Sequence, residues 1–356
     1  MMKKLSRRLM SGWRNGLGLG REGNSCPVIT LKKEGYDPYI DYLKGVCIFF
    51  VILTHCLPWQ EYMLFSLWGA QAVPLFLLIQ TFHVYKCGMD KAVGMPRFRK
   101  LFSRIFRPFL IWLLVELFLL IVVFGRDPVS MLKSVAVSGG IGPGSYYVWI
   151  YVQFAFILPV LASLFRKLEK RVGVGKICLL MIMLSCLLEW MCVYTHIPEW
   201  LYRLLFFRYF FLVYLGYSWV TKGIHLNRNT LLLSVISIVF ILLFTYTSIN
   251  LEPLFFQTDW RINHWICYFY VTYLFMFFLK FCYNHLNEKL KLFICLMGKY
   301  SYEIFLLQMF VFTFFPQGRL MAMVGDKYVC VVLTVVLTVA LSILPVIGWK
   351  RWKRGI

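Results

Sequence analysis

The stretch DYLKGVCIFFVILTH, residues 41–55, sets Asp41, Lys44 and His55 in an otherwise apolar run. Histidine has an ordinary pKa of about 6.5, which suits it to accept a proton from a reacting hydroxyl near neutrality. Lys44 and His55 are eleven residues apart. On an α-helix that is three turns within about 20°, so the two share a face and stand roughly 16 Å apart along the axis. Asp41 lies one turn before Lys44 and can pair with it. The plainer alternative is that Asp41 and Lys44 mark one water boundary of a membrane helix and His55 the other, because long charged side chains snorkel at little cost.

A second cluster follows in KCGMDKAVGMPRFRKLFSRIFRPFLIW, where Lys86, Lys91, Arg97, Arg99, Lys100, Arg104 and Arg107 face the single acid Asp90. Arg104 and Arg107 are three apart at a helix start and present two guanidinium forks, which suit bidentate binding of phosphate. Arg208 lies inside another apolar run, RLLFFRYFFLVYLGYSW, and needs a partner or a wet cavity. Glu116, Glu189 and Glu303 are the candidate partners, and the sequence does not choose among them. GPGS at 142–145 reads as an ordinary loop breaker.

The elements that must position these groups are membrane helices. The 356 residues are 60% hydrophobic and 19% aromatic, with a mean hydropathy of +0.70, well beyond a water-soluble domain. Apolar stretches long enough to cross a hydrocarbon core about 30 Å thick recur along the chain. They are continuous and rich in Leu, Phe and Val, which excludes the alternating strands of a β-barrel. Ten spans are expected, at 40–57, 63–84, 105–124, 146–165, 177–194, 203–221, 230–247, 264–283, 300–316 and 328–348. The fold class is therefore an all-α, polytopic integral membrane helical bundle. Its domain plan is a basic tail over 1–38, a ten-helix membrane domain over 39–349 and a short basic tail over 350–356.

The formal net charge of +22 resembles a nucleic-acid signal until it is located. With ten spans, most of the 38 lysines and arginines fall in segments on the membrane face that carries the N-terminus. That asymmetry is the positive-inside pattern, so both termini are expected in the cytoplasm and nucleic acid is excluded as a partner. Anionic membrane lipids account for much of the basic charge. The first residues lack the apolar core of a secretory signal and read as a disordered basic tail or a surface-lying amphipathic segment. Eleven cysteines, an odd number with no CxxC pair, behave as small hydrophobes; neither a disulfide framework nor a metal is expected.

The motifs in order resemble the acyltransferase 3 family, membrane proteins that acylate bacterial surface glycans. DYLKGVCIFFVILTH resembles the opening signature, in which a base is followed after ten intervening residues by His, here Lys44 and His55. AVPLFLLIQTF resembles the second span, and SRIFRPF supplies an Arg-x-x-Arg as Arg104 and Arg107. GSYYVWIYVQF, FRYFFLVYLGY and MGKYSYEIFLLQ resemble the fourth span, the sixth and a late Gly-Lys-Tyr-Ser-Tyr helix. The likeness runs from about residue 37 to 348. Three departures stand out: Lys44 where many relatives have Arg, Gln80-Thr81 where Ser-Gly is common, and Gln308 where His is frequent.

The resemblance implies transfer of an acyl group, usually acetyl from acetyl-CoA, to a hydroxyl of a glycan or lipid-linked sugar. His55 is the expected general base; a covalent acyl-histidine and direct transfer both stay open. Lys100, Arg104 and Arg107 are the expected dock for the phosphates of the acyl-CoA co-substrate, with Lys44 assisting near the entrance and Asp41 fixing its position. Arg208, Tyr302 and Glu303 are the candidates for substrate contact. The expected setting is the inner (cytoplasmic) membrane, and a second copy of the chain is a further candidate partner. The competing class is a transporter or flippase for a lipid-linked glycan or small anion, with Arg208 and the intramembrane glutamates lining the path. No internal repeat marks that alternative in the sequence.

Overall fold

A computed structural model describes residues 28–29, 37–56, 64–86, 99–247, 262–315 and 323–355. Most of the N-terminal tail, and Lys91 and Arg97 of the first loop, lie outside the described residues. Among the described residues the regular structure is helical apart from one two-residue pairing, in which β1 (Val28–Ile29) runs antiparallel to β2 (Ile224–His225). That pairing puts the segment before the first span on the same side of the bundle as the turn after the sixth.

Among the described residues thirteen helices carry the fold: α1 (Pro38–Cys56), α2 (Phe65–Lys86), α3 (Arg99–Val123), α4 (Pro128–Ser138), α5 (Tyr146–Val172), α6 (Val174–Tyr194), α7 (Glu199–Leu204), α8 (Phe210–Lys222), α9 (Arg228–Tyr246), α10 (Trp265–His285), α11 (Glu288–Lys299), α12 (Ser301–Phe314) and α13 (Lys327–Gly355). Among the described residues each expected span except the sixth falls largely on one helix. Eight of the helices are long and apolar enough to cross a membrane. Of the other two expected spans, α12 is an apolar helix of 14 residues and α8 has 13. Side chains such as Leu114, Phe118 and Val122 on α3, Leu179 on α6 and Leu344 on α13 are exposed on the outside of the bundle. An apolar exterior of that kind is stable only against lipid.

The sixth expected span, 203–221, is not one continuous helix. Its first residues form α7, the backbone opens at Leu205–Phe206, a 3-10 turn follows at Phe207–Tyr209, and only then does α8 begin. An open backbone inside a bundle must be satisfied by protein groups. Gln153 of α5 does this on both sides of the break: its amide donates to the Leu204 carbonyl at 2.6 Å and its oxygen accepts from the Phe206 N–H at 3.2 Å. Tyr268 of α10 donates to the Arg208 carbonyl at 2.8 Å.

Two close helix crossings fix the centre. α1 and α11 approach until a β-carbon on Gly45 would overlap the Ile294 carbonyl and one on Gly298 would overlap the Asp41 carbonyl. α2 and α8 meet in the same way, where a side chain on Gly216 would overlap Thr81. Small residues permit such approaches, and van der Waals contact then holds helices together where lipid offers no hydrophobic contrast. Around these crossings Leu43, Cys47, Leu75, Leu78, Phe211 and Leu215 form the main buried cluster. α11 had no counterpart among the expected spans: it is an amphipathic helix with Lys289 and Leu292 on its exposed surface, clamped along α1.

Candidate functional site

α1 carries Lys44 and His55 on one face, and both line a single cavity of about 430 Å³. The helix forms because its apolar run is unbroken; Asp41 sits in its first turn and His55 in its last. Asp41 is buried and its carboxylate pairs with the Lys44 ammonium at 3.1 Å. Lys44 lines the cavity and Asp41 stands behind it.

At the Lys44 end the cavity is lined by the junction of α11 and α12, through Gly298, Lys299, Ser301 and Tyr302. Tyr302 donates its hydroxyl hydrogen to the Ile105 carbonyl, so the start of α3 is tied to this end. Ile105 lines the cavity, whereas Lys100, Arg104 and Arg107 around it are exposed and do not. The segment Phe102–Phe106 is a π-helical turn, which has more residues per turn than an α-helix. Arg104 and Arg107 therefore diverge more than two residues three apart on a regular helix. Glu303 is half-buried beside Tyr302 and is not part of the lining.

The His55 end is built by loops and helix ends from four other parts of the chain. Gly142, Pro143 and Gly144 form one wall, followed by Tyr146 at the start of α5; Arg203 of α7 and Asn263, just before α10, complete it. The glycine loop is more than a breaker. Gly139, Gly140, Gly142 and Gly144 all have positive φ, and Gly142 packs so closely on α12 that a β-carbon would stand 3.0 Å from the Met309 carbonyl. Trp149 donates to the Gly139 carbonyl at 2.6 Å and Ser145 to the Ser138 carbonyl at 3.1 Å, holding the loop onto α5. The imidazole of His55 rests edge-on to Phe312 of α12, with ring centres 5.5 Å apart.

Arg208 sits immediately behind this end, buried at 2% exposure. Among the described residues it forms no ion pair with Glu116, Glu189 or Glu303. Its guanidinium is instead caged by aromatic rings, 4.9 Å from the centre of Tyr209, 5.6 Å from Tyr146 and 5.8 Å from Tyr202. Ring faces attract a cation, and the attraction grows when both are desolvated. Glu189 lies one side chain further out, accepting from the Tyr202 hydroxyl at 2.6 Å, with His264 Nδ1 at 3.6 Å. Glu116 is buried on α3, and neither it nor Glu303 lines the cavity.

Sequence reasoning picked out Lys44, His55 and Tyr302 of the lining, and it missed Gly142–Gly144, Tyr146, Arg203, Asn263 and Lys299. The four glycines within residues 139–144 were the available signal, because closely spaced glycines mark places where backbone comes close to other atoms. Asn263 carried none.

A helical bundle with an apolar exterior and an internal cavity that has His55 on its wall defines a multi-pass membrane protein. The family model described as an acyltransferase domain matches residues 37–348, nearly the whole chain, and the chain belongs to the acyltransferase 3 family. No curated protein and no solved structure matches it. Membership makes it a membrane acyltransferase.

Proposed function

We propose that the protein transfers an acyl group, acetyl in the simplest case, from cytoplasmic acyl-CoA to a hydroxyl of a glycan or lipid-linked sugar, with His55 as general base. The observation that carries this reading is that His55 and Lys44 line one cavity at separate ends. A linear pantetheine arm can bridge the roughly 16 Å between them. The phosphates of CoA then stay near Lys44, Lys299 and the exposed Lys100, Arg104 and Arg107, while the thioester reaches His55.

The acceptor hydroxyl attacks the thioester carbonyl as a neutral imidazole nitrogen of His55 takes its proton. The new C–O bond gives a tetrahedral oxyanion. Collapse of that oxyanion breaks the C–S bond, and the departing thiolate recovers the proton from the imidazolium. The apolar surroundings, including Phe305 and Phe312, keep bulk water away from the thioester, which favours the sugar as acceptor over hydrolysis. The reading sets the protein in the cytoplasmic membrane with both termini inside. The β1–β2 pairing supports a common side for the N-terminal segment and the turn after α8. Lys44, Lys299 and that turn then face the cytoplasm, and Gly144, Arg203 and Asn263 the opposite side.

The test is purified protein in proteoliposomes with radiolabelled acetyl-CoA and a lipid-linked glycan acceptor. The expected result is label in an alkali-labile ester on the glycan, matched by release of free CoA. Glycan movement across the bilayer with no CoA release would favour the transport class instead.

A further inference from the structure

The His55 end of the cavity holds more positive charge than the transfer chemistry uses. Arg203 lines the cavity with its guanidinium 5.5 Å from the centre of the Tyr146 ring. Arg208 lies 5.6 Å from the same ring, so two guanidinium groups converge on one tyrosine. Among the described residues neither arginine forms an ion pair, and the buried Nε of each has no hydrogen-bond partner. Glu189, the nearby carboxylate, is taken up by Tyr202 and by His264. Asn263 lines the same wall at 2% exposure, and its Oδ1 also has no partner.

Uncompensated guanidinium groups inside a membrane protein call for an anion, which arginine holds with two parallel hydrogen bonds. The donor does not supply it under the reading above, because its phosphates stay at the Lys44 end while its thioester occupies the His55 end. The second substrate remains. We propose that Arg203, with Asn263 and Tyr146, forms the acceptor subsite, and that it selects a sugar bearing an anionic group close to the hydroxyl that is acylated. Arg203 binds the anion and Arg208 adds charge from behind. Asn263 Oδ1 accepts from a neighbouring sugar hydroxyl, and Tyr146 gives the ring a face to lie on. The anion is a uronate carboxylate or the phosphate of a lipid-linked sugar; the two share this chemistry.

This inference rests on the acyl-transfer reading for its role but not for its binding, so it is tested by binding first. Three probes are compared on purified full-length protein without donor: a neutral alkyl glycoside, the matching uronate glycoside and a polyprenyl-diphosphate-linked sugar. At least one anionic probe is expected to bind on the order of tenfold more tightly than the neutral one. Arg203→Gln is expected to erase that margin, and Arg203→Lys to restore part of it by keeping charge without the fork. The unliganded melting temperature of each variant reports folding. Which anion binds better identifies its source. Equal binding of all three probes by the wild type, or a margin that survives in Arg203→Gln, overturns the proposal whether or not acyl transfer occurs. With labelled acetyl-CoA present, Arg203→Gln is expected to raise the acceptor KM and leave the donor KM unaltered. Anion-selective binding without label transfer would sink the transferase reading and leave the subsite standing.

Discussion

Gly144 stands against the imidazole of His55: a β-carbon built on it would lie 3.9 Å from His55 Nε2, with φ at +88°. The glycine loop thus does two things at once. It adopts a backbone that other residues enter only at a cost of about 1–2 kcal/mol, and the space it leaves beside the ring takes the reacting group in the proposed reaction. Gly144→Ala is expected to lower kcat more than the melting temperature suggests, because the added methyl enters the space between His55 and Phe305. A variant with wild-type turnover would place the reacting hydroxyl elsewhere.

The break before α8 gives a second expectation. Gln153 satisfies both the Leu204 carbonyl and the Phe206 N–H. In Gln153→Leu those backbone groups lose their partners at about 1–3 kcal/mol each. Arg203 sits in the last turn of α7, next to that cap, so the acceptor KM is expected to rise together with the loss of thermal stability. Steady-state kinetics beside a melting curve in detergent checks both.

Helix contact at the Lys44 end is set by Gly45 and Gly298, each opposite a backbone carbonyl. No rotamer change relieves a clash with backbone, so Gly298→Ala must push α11 away from α1. A loss of at least about 1–3 kcal/mol is expected, readable as a lower melting temperature. An unchanged melting temperature would mean that α11 is not clamped on α1.

Donor binding is expected to depend on the basic groups around that same end. Lys44→Gln, and Arg104→Ala or Arg107→Ala, are expected to raise the KM for acetyl-CoA more than that for the acceptor. Lys44→Gln has the larger effect, since Lys44 lines the cavity while the two arginines are exposed outside it. An unchanged donor KM in all three would remove the phosphate dock from this face.

How far the fold was legible depended on length and period. Long apolar runs announced α1, α3, α5, α6, α9 and α13, because hydrocarbon thickness leaves a chain few alternatives. The break at Leu205–Phe206 was invisible: it contains neither Gly nor Pro, and Gln153, which stabilises it, lies some fifty residues away. The His55–Lys44 stripe could be read because both residues lie on one helix, where spacing dictates facing. Arg203 and Asn263 reach the cavity from separate helix ends, and only tertiary packing brings them there. The same limit hid the partner of Arg208. A search for carboxylates looks for charge, whereas the cage is made of aromatic rings.

A general base must be neutral to act. If His55 is that base, kcat/KM falls about tenfold for each pH unit below its pKa, and that acid limb belongs to the imidazole. The most direct measurement is therefore single-turnover acyl transfer by purified wild type and His55→Ala, compared across pH. The variant is expected to fold normally, bind acetyl-CoA, and lose roughly 10²–10⁴-fold in rate along with the acid limb. Transfer by His55→Ala at the wild-type rate and with the same pH profile would contradict it.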